Sequence, residues 1–341
     1  ADVFVRHLPG GLALVVIVAA VIFSAISGSA PATTAAIGTI MIPAMVSRGY
    51  SKAFAAALCV SAGVLAPLIP PSIAFIIWGV IAEQSITKLF LSGIVPGLAI
   101  AALLAGYAIL KARRDGIPRL PRATIGEIIA ALRGGIWALL APVIILGGIY
   151  SGAFTPTEAS AVACIYSLFV GFVIERKLTP RAIPGLVINA MKITAIVMAV
   201  VLASKGFGVL IAQEQVAAKL ATLLHGALQE KWTILLVLNL AFFLLAAVMD
   251  EVAIMVIFGP LLMAIAGQLQ VDPIHFGAII VTNVAIGMAA PPIGYCLFIG
   301  MAISKLSLGQ ISRAIWPQVL LMLIALMLVT YVPAVSLVLV R

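Results

Sequence analysis

The sequence predicts an all-α polytopic membrane protein, an inverted repeat with two re-entrant helical hairpins and two transmembrane helices broken at Pro-Pro pairs. Three observations carry this. Of 341 residues, 64% are hydrophobic and 9% charged, the mean hydropathy is +1.27, and apolar runs of roughly 20 residues, the length that crosses a bilayer, recur along the chain. Two of these runs contain consecutive prolines, Pro70-Pro71 and Pro291-Pro292, which remove helical N–H donors and clash with the preceding turn. Finally, the chain repeats itself: superposing Pro70 on Pro291 sets an offset of 221 (291 minus 70), and Ser61 then falls on Thr282, Gly79 on Gly300, Pro96 on Pro317 and Ser29 on Asp250. Nothing in the chain alternates apolar and polar residues as a transmembrane β-barrel would.

The first repeat spans residues 1–110. A polar start with Arg6 and His7 leads into Leu12 to Ala25, an apolar run too short to span comfortably. Ser27-Gly28-Ser29-Ala30-Pro31 interrupts it and Thr33 to Val46 resumes it, which reads as two half-length helices joined by a small-residue tip. Ala53 to Ala82 is the first broken span, and Leu89 to Leu110 is a plain helix. Residues 111–135 combine a basic loop (Lys111, Arg113, Arg114, Arg119, Arg122) with an interfacial helix. Thr124 and Glu127 fit a capping box at its start, and Ile125, Ile128, Ile129 and Leu132 share one face. Residues 136–212 hold connecting helices, Ile136 to Tyr150, Ala159 to Ile174 and Ile188 to Ala212. Residues 213–231 form an amphipathic linker. The second repeat, 232–341, has a hairpin tipped by Met249-Asp250-Glu251, the broken span His275 to Ile303, and a last helix Ile315 to Tyr331.

Basic residues then orient the chain. If the Lys111 loop is cytoplasmic, counting crossings places Arg6, Arg48, Lys52, Arg133, Arg176, Lys177, Arg181, Lys192, Lys305 and Arg313 on the same side, leaving Lys88, Lys219, Lys231 and Arg341 outside. That bias satisfies the positive-inside rule. It also accounts for the net charge of +9 without nucleic acid as a partner. The two hairpins then enter from opposite faces, so the repeats are inverted, an arrangement that suits alternating access. The chain opens at Ala1, with neither Met nor a signal peptide, directly ahead of an apolar run, which fits a piece of a longer polypeptide. Cys59, Cys164 and Cys296 lie in apolar segments without ligand-like spacing and read as packing residues.

Broken backbone at membrane depth persists only where protein buries it or it lines a polar cavity. Its freed carbonyls, together with hydroxyls, can hold a small hard cation without burying a full negative charge. One sodium is expected between the first tip (Ser27, Gly28, Ser29) and the first break (Ser61, Gly63, Pro67, Pro70). A pseudo-symmetric one is expected between Asp250 and the second break (Thr282, Asn283, Gly287, Ala290). Each hydroxyl could instead bond its own helix backbone. Asp250, a carboxylate amid half-helices, is a functional-site candidate that can also cap the helix after it, and Glu251 beside it can instead face solvent. Lys205 could meet a substrate carboxylate, snorkel or pair with protein. Glu158, after Thr155-Pro156-Thr157, reads as structural, and His225 and His275 suggest no metal site.

Several ordered motifs resemble those of one family. Ser27-Gly28-Ser29-Ala30, Ile42-Pro43-Ala44-Met45, Ile69-Pro70-Pro71-Ser72-Ile73, Gly93-Ile94-Val95-Pro96-Gly97, Phe154-Thr155-Pro156-Thr157-Glu158-Ala159, Asp272-Pro273-Ile274-His275-Phe276-Gly277 and Ala290-Pro291-Pro292-Ile293-Gly294 resemble the large membrane subunit of tripartite ATP-independent periplasmic (TRAP) transporters, from about Leu8 to Pro333. The resemblance implies a sodium-coupled importer of organic acids, such as sialic acids or C4-dicarboxylates, in the bacterial inner membrane. It also implies a small four-helix membrane subunit, a periplasmic substrate-binding protein, phospholipid around the spans, and elevator movement of the domain carrying both hairpins. Ser29, Ser72, Lys205 and Asp250 are the expected substrate contacts. The chain departs from the family pattern at Thr33, Glu251 and Ala290, where aspartate, proline and threonine are common, and the family's further N-terminal scaffold helices are not expected among these residues.

Other classes fit less well. An intramembrane enzyme needs paired aspartates, a Ser-His arrangement or a His-Glu-x-x-His motif, and a nucleotide-driven pump needs a P-loop; the sequence contains none of these. A passive channel, or an inverted-repeat anion/sodium symporter working without a binding protein, is the alternative.

Overall fold

A computed structural model describes residues 7–117, 123–214 and 230–341, and every described element is helical. The first repeat comprises α1 (Gly11–Ser27), α2 (Ala30–Val46), α3 (Lys52–Gly63), α4 (Ile73–Ile81) and α5 (Ile86–Arg114). After it come α6 (Ile125–Tyr150), α7 (Pro156–Phe169, continued by a π turn Val170–Ile174) and α8 (Ile183–Gln213). The second repeat is α9 (Lys231–Ala246), α10 (Glu251–Gln268), α11 (Pro273–Gly287), α12 (Tyr295–Ser304) and α13 (Leu308–Tyr331), with a short α14 (Ala334–Leu337) after it. Shifted by 221, α9 to α13 start within about a residue of α1 to α5, within the ordinary uncertainty of helix ends.

Each boundary has a local cause. Gly28, at φ 59°, ends α1 in the left-handed conformation, and its N–H donates to the Ser24 carbonyl. Pro31 sits in the first turn of α2, where no N–H is needed, so the tip shrinks to Gly28 and Ser29. Serine hydroxyls cap α3, α4 and α5 through Ser51, Ser72 and Ser85. The expected capping box of Thr124 and Glu127 forms, and Thr155 with Glu158 makes another, which accounts structurally for Glu158.

Some boundaries differ from expectation. No break separates an interfacial helix from a span at Ile136; α6 is one helix of 26 residues, because Gly134-Gly135 lowers helix propensity without breaking the hydrogen-bond ladder. The last helix begins at Leu308, seven residues before Ile315, because Ser307 and Gln310 form a capping box there. Cys59 and Cys296 are buried as expected, whereas Cys164 is exposed on α7. Most of the linker 213–231 lies outside the described residues.

The two repeats interlock rather than sit side by side. The second half of each broken helix packs on the second hairpin arm of the other repeat, α4 on α10 and α12 on α2. The first halves pack on the other repeat's closing helix, α3 on α13 and α11 on α5, and α5 and α13 pack on each other. Fully buried Trp78 and Phe276 meet at 6.1 Å between ring centroids, on α4 and α11. Glycines permit these approaches: a Cβ on Gly93 would come within 2.5 Å of the Leu68 carbonyl and overlap the Phe75 ring. By contrast α6 and α7 stand apart, each with only 6% of its best apolar window buried. Five described helices, α5, α6, α7 with its π turn, α10 and α13, are long and apolar enough to cross a membrane.

Glycine tolerance should divide accordingly. Gly93→Ala is expected to destabilise the protein by about 1–3 kcal/mol through overpacking. Gly106→Ala, on the same helix with nothing within 4 Å, should be neutral or gain up to about 1 kcal/mol. Thermal unfolding of the detergent-purified protein reads both; equal losses would contradict the packing described here.

Candidate functional site

Both proline pairs interrupt their helices. After Gly63 the chain runs through turns to Ser72, and after Gly287 it does so to Gly294; Pro70–Pro71 and Pro291–Pro292 are both cis. A hairpin tip sits against each break. At the first, Ile73 N–H donates to the Gly28 carbonyl at 3.5 Å. A Cβ on Gly28 would meet the Pro71 carbonyl oxygen at 2.6 Å, and one on Gly63 would overlap the Thr34 hydroxyl and approach the Ala30 carbonyl at 3.1 Å. At the second, Gly294 N–H donates to the Ala247 carbonyl at 2.8 Å, and a Cβ on Gly287 would overlap Ala246. Ile73 and Gly294 are related by the 221 offset, so each second half-helix begins by binding its own repeat's tip.

Near the first break, several side-chain oxygens have no partner among the described residues. Ser61 is fully buried and its Oγ has no partner among the described residues; the same holds for Ser24 and Thr33. Ser27 is half-buried and its hydroxyl reaches the Ser29 carbonyl only at 3.5 Å. Ser29 precedes α2 without a side-chain cap bond. Pro70 is fully enclosed. The Pro67 carbonyl is occupied: Ser72 Oγ donates to it at 2.6 Å while accepting from Phe75 N–H at 3.2 Å. Ser72 therefore ties the break together, with its hydroxyl engaged by backbone on both sides.

The second break is organised differently. Thr282 Oγ1 donates to the Ala278 carbonyl of its own helix at 2.7 Å. Asn283 Nδ2 donates to the carbonyl and the Oδ1 of Asn239, each at 2.9 Å, and Asn239 Nδ2 donates to Thr330 Oγ1 at 2.8 Å. This leaves Asn283 Oδ1 buried and without a partner among the described residues. Gly287 and Ala290 are buried and joined by an N–H to carbonyl bond of 2.9 Å. Sequence reasoning missed Asn239; its signal was a carboxamide in the apolar run Trp232 to Val248, which membrane depth makes costly unless it is bonded.

The two carboxylates exchange their expected places. Asp250 is exposed and its Oδ1 accepts from Val252 N–H at 2.9 Å, capping α10. Glu251 is the buried one, 5% exposed, with Oε2 unpartnered among the described residues. The cause is geometric: the capping residue is extended and turns its side chain back along the helix end, and the next residue starts the helix on its inner face. Cys296, at the start of α12, lies beside Thr34 and close to Glu251, which links the second tip to the first hairpin. The Lys205 side chain lies outside the described residues. A separate cavity of about 350 Å³ between α1, α2 and α6 is walled by apolar residues including Val18, Phe23, Ile37 and Leu139, and none of the expected site residues lines it.

A family model, described as the tripartite ATP-independent periplasmic transporter, DctM component, matches residues 1–335. The chain belongs to the DctM family. Among similar proteins, the C4-dicarboxylate TRAP transporter large permease protein of Pseudomonas aeruginosa is 40% identical over 337 residues, covering 99% of this chain and 79% of that protein. The 2,3-diketo-L-gulonate TRAP transporter large permease protein of Escherichia coli is 39% identical, covering 96% and 77%. The sialic acid TRAP transporter permease protein of Haemophilus influenzae is 35% identical, covering 96% of this chain and 53% of that protein. A DctM chain is an inner-membrane transporter component and not an enzyme.

The carboxamide network can be tested on its own. Asn239→Leu and Thr330→Val should each destabilise the protein, and the double variant should lose less than their sum, with a coupling of about 0.5–2 kcal/mol. A double-mutant cycle on thermal unfolding measures it, and simple additivity would count against the network.

Proposed function

We propose that this DctM chain carries an organic acid inward across the inner membrane, coupled to sodium, by alternating access between its two interlocked repeats. One observation carries the reading: a hairpin tip bonds the chain just beyond each Pro-Pro break, and Ser61 and Asn283, in the helices leading into the two breaks, each keep a buried oxygen without a partner among the described residues. Na⁺ is a hard cation that takes such oxygens. The first sodium would use the carbonyls around Ser27, Gly28, Ser29, Gly63 and Pro70 with the Ser61 hydroxyl. The second would use the tip of α9 and α10 with Asn283 Oδ1 and the backbone of Gly287 and Ala290.

The substrates named for relatives are carboxylic acids and the sulfonate isethionate, all organic acids, which supports that substrate class. Ser29 and Lys205 are the proposed substrate contacts. Asp250, exposed beside the tip, could reach a substrate only through its free oxygen, and Ser72 only by giving up its backbone bonds. A small four-helix membrane subunit would cover the outward faces of α6 and α7, and a periplasmic binding protein would deliver the acid. Phospholipid would fill the remaining apolar surface. Movement of both hairpins as an elevator against α6 and α7 is supported by how little of those two helices the rest of the chain buries.

Uptake by the chain with its small subunit and binding protein in proteoliposomes should require an inward Na⁺ gradient and stop when K⁺ replaces Na⁺. Ser61→Ala should raise the Na⁺ concentration for half-maximal uptake about tenfold or more, because a hydrogen-bond-strength contact to a charge is worth about 1.5–3 kcal/mol. Uptake indifferent to sodium would overturn the coupling.

A further inference from the structure

We propose that the seam between α9 and α13 binds one anionic phospholipid, its phosphate in a basic pocket at the Lys231 end and an acyl chain in the apolar groove that continues from it. The site lies apart from both proline breaks, and the proposal stands whether or not transport is coupled to sodium. Two hollows share these helices. One, of about 210 Å³, is lined by Lys231, Asp272, His275, Thr330 and Arg341 among others. The other, of about 230 Å³, is walled by Leu236, Leu240 and Phe243 of α9 and by Leu323, Leu326 and Met327 of α13. Leu235 of the pocket adjoins Leu236 of the groove, and Thr330 stands about one turn from Met327, so the groove starts where the pocket ends. Asn239 also lines the groove, but its amide is committed to Thr330 and Asn283. From Trp232 to Phe243, eleven positions (243 minus 232), α9 rises roughly 17 Å, close to the roughly 15 Å depth of one hydrocarbon leaflet.

Charge selects the headgroup. Lys231 Nζ donates to the Gln270 carbonyl at 3.3 Å and lies 5.9 Å from the Trp232 ring centroid. Neither Lys231 nor Arg341 forms an ion pair among the described residues. Asp272 lines the same pocket, with its Oδ1 committed to the N–H groups of Ile274 and His275. His275 Nδ1 lies 2.7 Å from Ser336 Oγ. Glu230 precedes Lys231 but does not line the pocket. Residues 215–229, ahead of α9, contain Lys219 and His225 and no Asp or Glu, so they bring no carboxylate to the pocket. Two cations against one capped carboxylate leave a positive site, and basic pockets between transmembrane helices take lipid phosphates. The level is also right. Trp232 and Tyr331 meet edge to face at 5.7 Å, and the Tyr331 hydroxyl donates to the Trp232 carbonyl at 3.1 Å. Such aromatic residues sit at the depth of lipid headgroups.

The first repeat has the same seam closed. Under the 221 offset Lys231 corresponds to Gly10 and Pro333, which also lines the pocket, to Ala112. A Cβ on Gly10 would come within 2.9 Å of the Ala112 Cβ and 3.1 Å of the Ala108 carbonyl oxygen, and α1 packs along α5. In the second repeat a lysine replaces that glycine, and α9 and α13 stand further apart. The hollow therefore comes from the residues of this seam and not from the shared architecture.

Lipid titration of the detergent-purified protein with its small subunit tests this. The probes are dioleoyl phosphatidylglycerol, dioleoyl phosphatidylcholine and glycerol 3-phosphate. The readouts are bound lipid by native mass spectrometry and the melting temperature, which a ligand of the folded state raises with concentration. Phosphatidylglycerol should act at lower concentration than phosphatidylcholine. Lys231→Gln should weaken phosphatidylglycerol about fivefold, and Lys231→Gln with Arg341→Gln about tenfold or more, with phosphatidylcholine unchanged. Leu240→Trp, at an exposed position on the groove wall, should weaken both lipids by filling the groove. Equal potency of the two lipids, or a charge-deleted double variant that matches the wild type, would overturn the proposal. Glycerol 3-phosphate as potent as phosphatidylglycerol would overturn the lipid and leave a site for a small anion.

Discussion

Buried peptide groups must find partners, and this protein encloses two stretches of non-helical backbone largely within its helical body. That constraint organises the molecule. Each Pro-Pro pair ends a helix, and the N–H and carbonyl groups released must be answered by protein, because no lipid can answer them. Most are answered by short-range turns: Leu65 to Ala62, Ala66 to Gly63, Ala289 to Ile286 and Ala290 to Gly287. The remaining need is met from outside, by a hairpin tip whose own helices have also just ended. Tip and break are thus two incomplete structures that complete each other, through Ile73 to Gly28 and Gly294 to Ala247.

The same constraint explains the interlocking. A half-helix following a break is short, nine residues in α4 and ten in α12, and cannot cross the bilayer alone. Each lies instead against the other repeat's hairpin arm and is held by close glycine contacts, such as Gly259 against Ile81 and Gly38 against Ile303. Packing across the repeats makes the central body one cohesive unit. α6 and α7 present apolar faces with little of their own chain to bury them.

Polar groups inside this centre follow two patterns. Asn283, Asn239 and Thr330 bond one another and fix the relation of α11, α9 and α13. Ser61, Thr33, Ser24 and Glu251 keep oxygens that no described residue satisfies. Unpaired buried oxygens cost stability unless a ligand completes them.

Composition, the Pro-Pro pairs and the 221-residue offset were enough to determine, from the sequence alone, an all-helical membrane chain, the duplication and both breaks, because hydrophobic length and proline chemistry act locally. Caps such as Thr124 with Glu127 were legible for the same reason. The fate of individual polar side chains was not. Asp250 and Glu251 are adjacent in sequence, and only the direction in which α10 leaves its cap decided that the first meets solvent and the second is buried. Asn239 gained its role from Asn283, 44 residues away, and Ser72 lost its freedom to a carbonyl across the turn. Helical phase and contacts between distant segments, set by how the repeats pack, decided which oxygens the described residues leave unpaired.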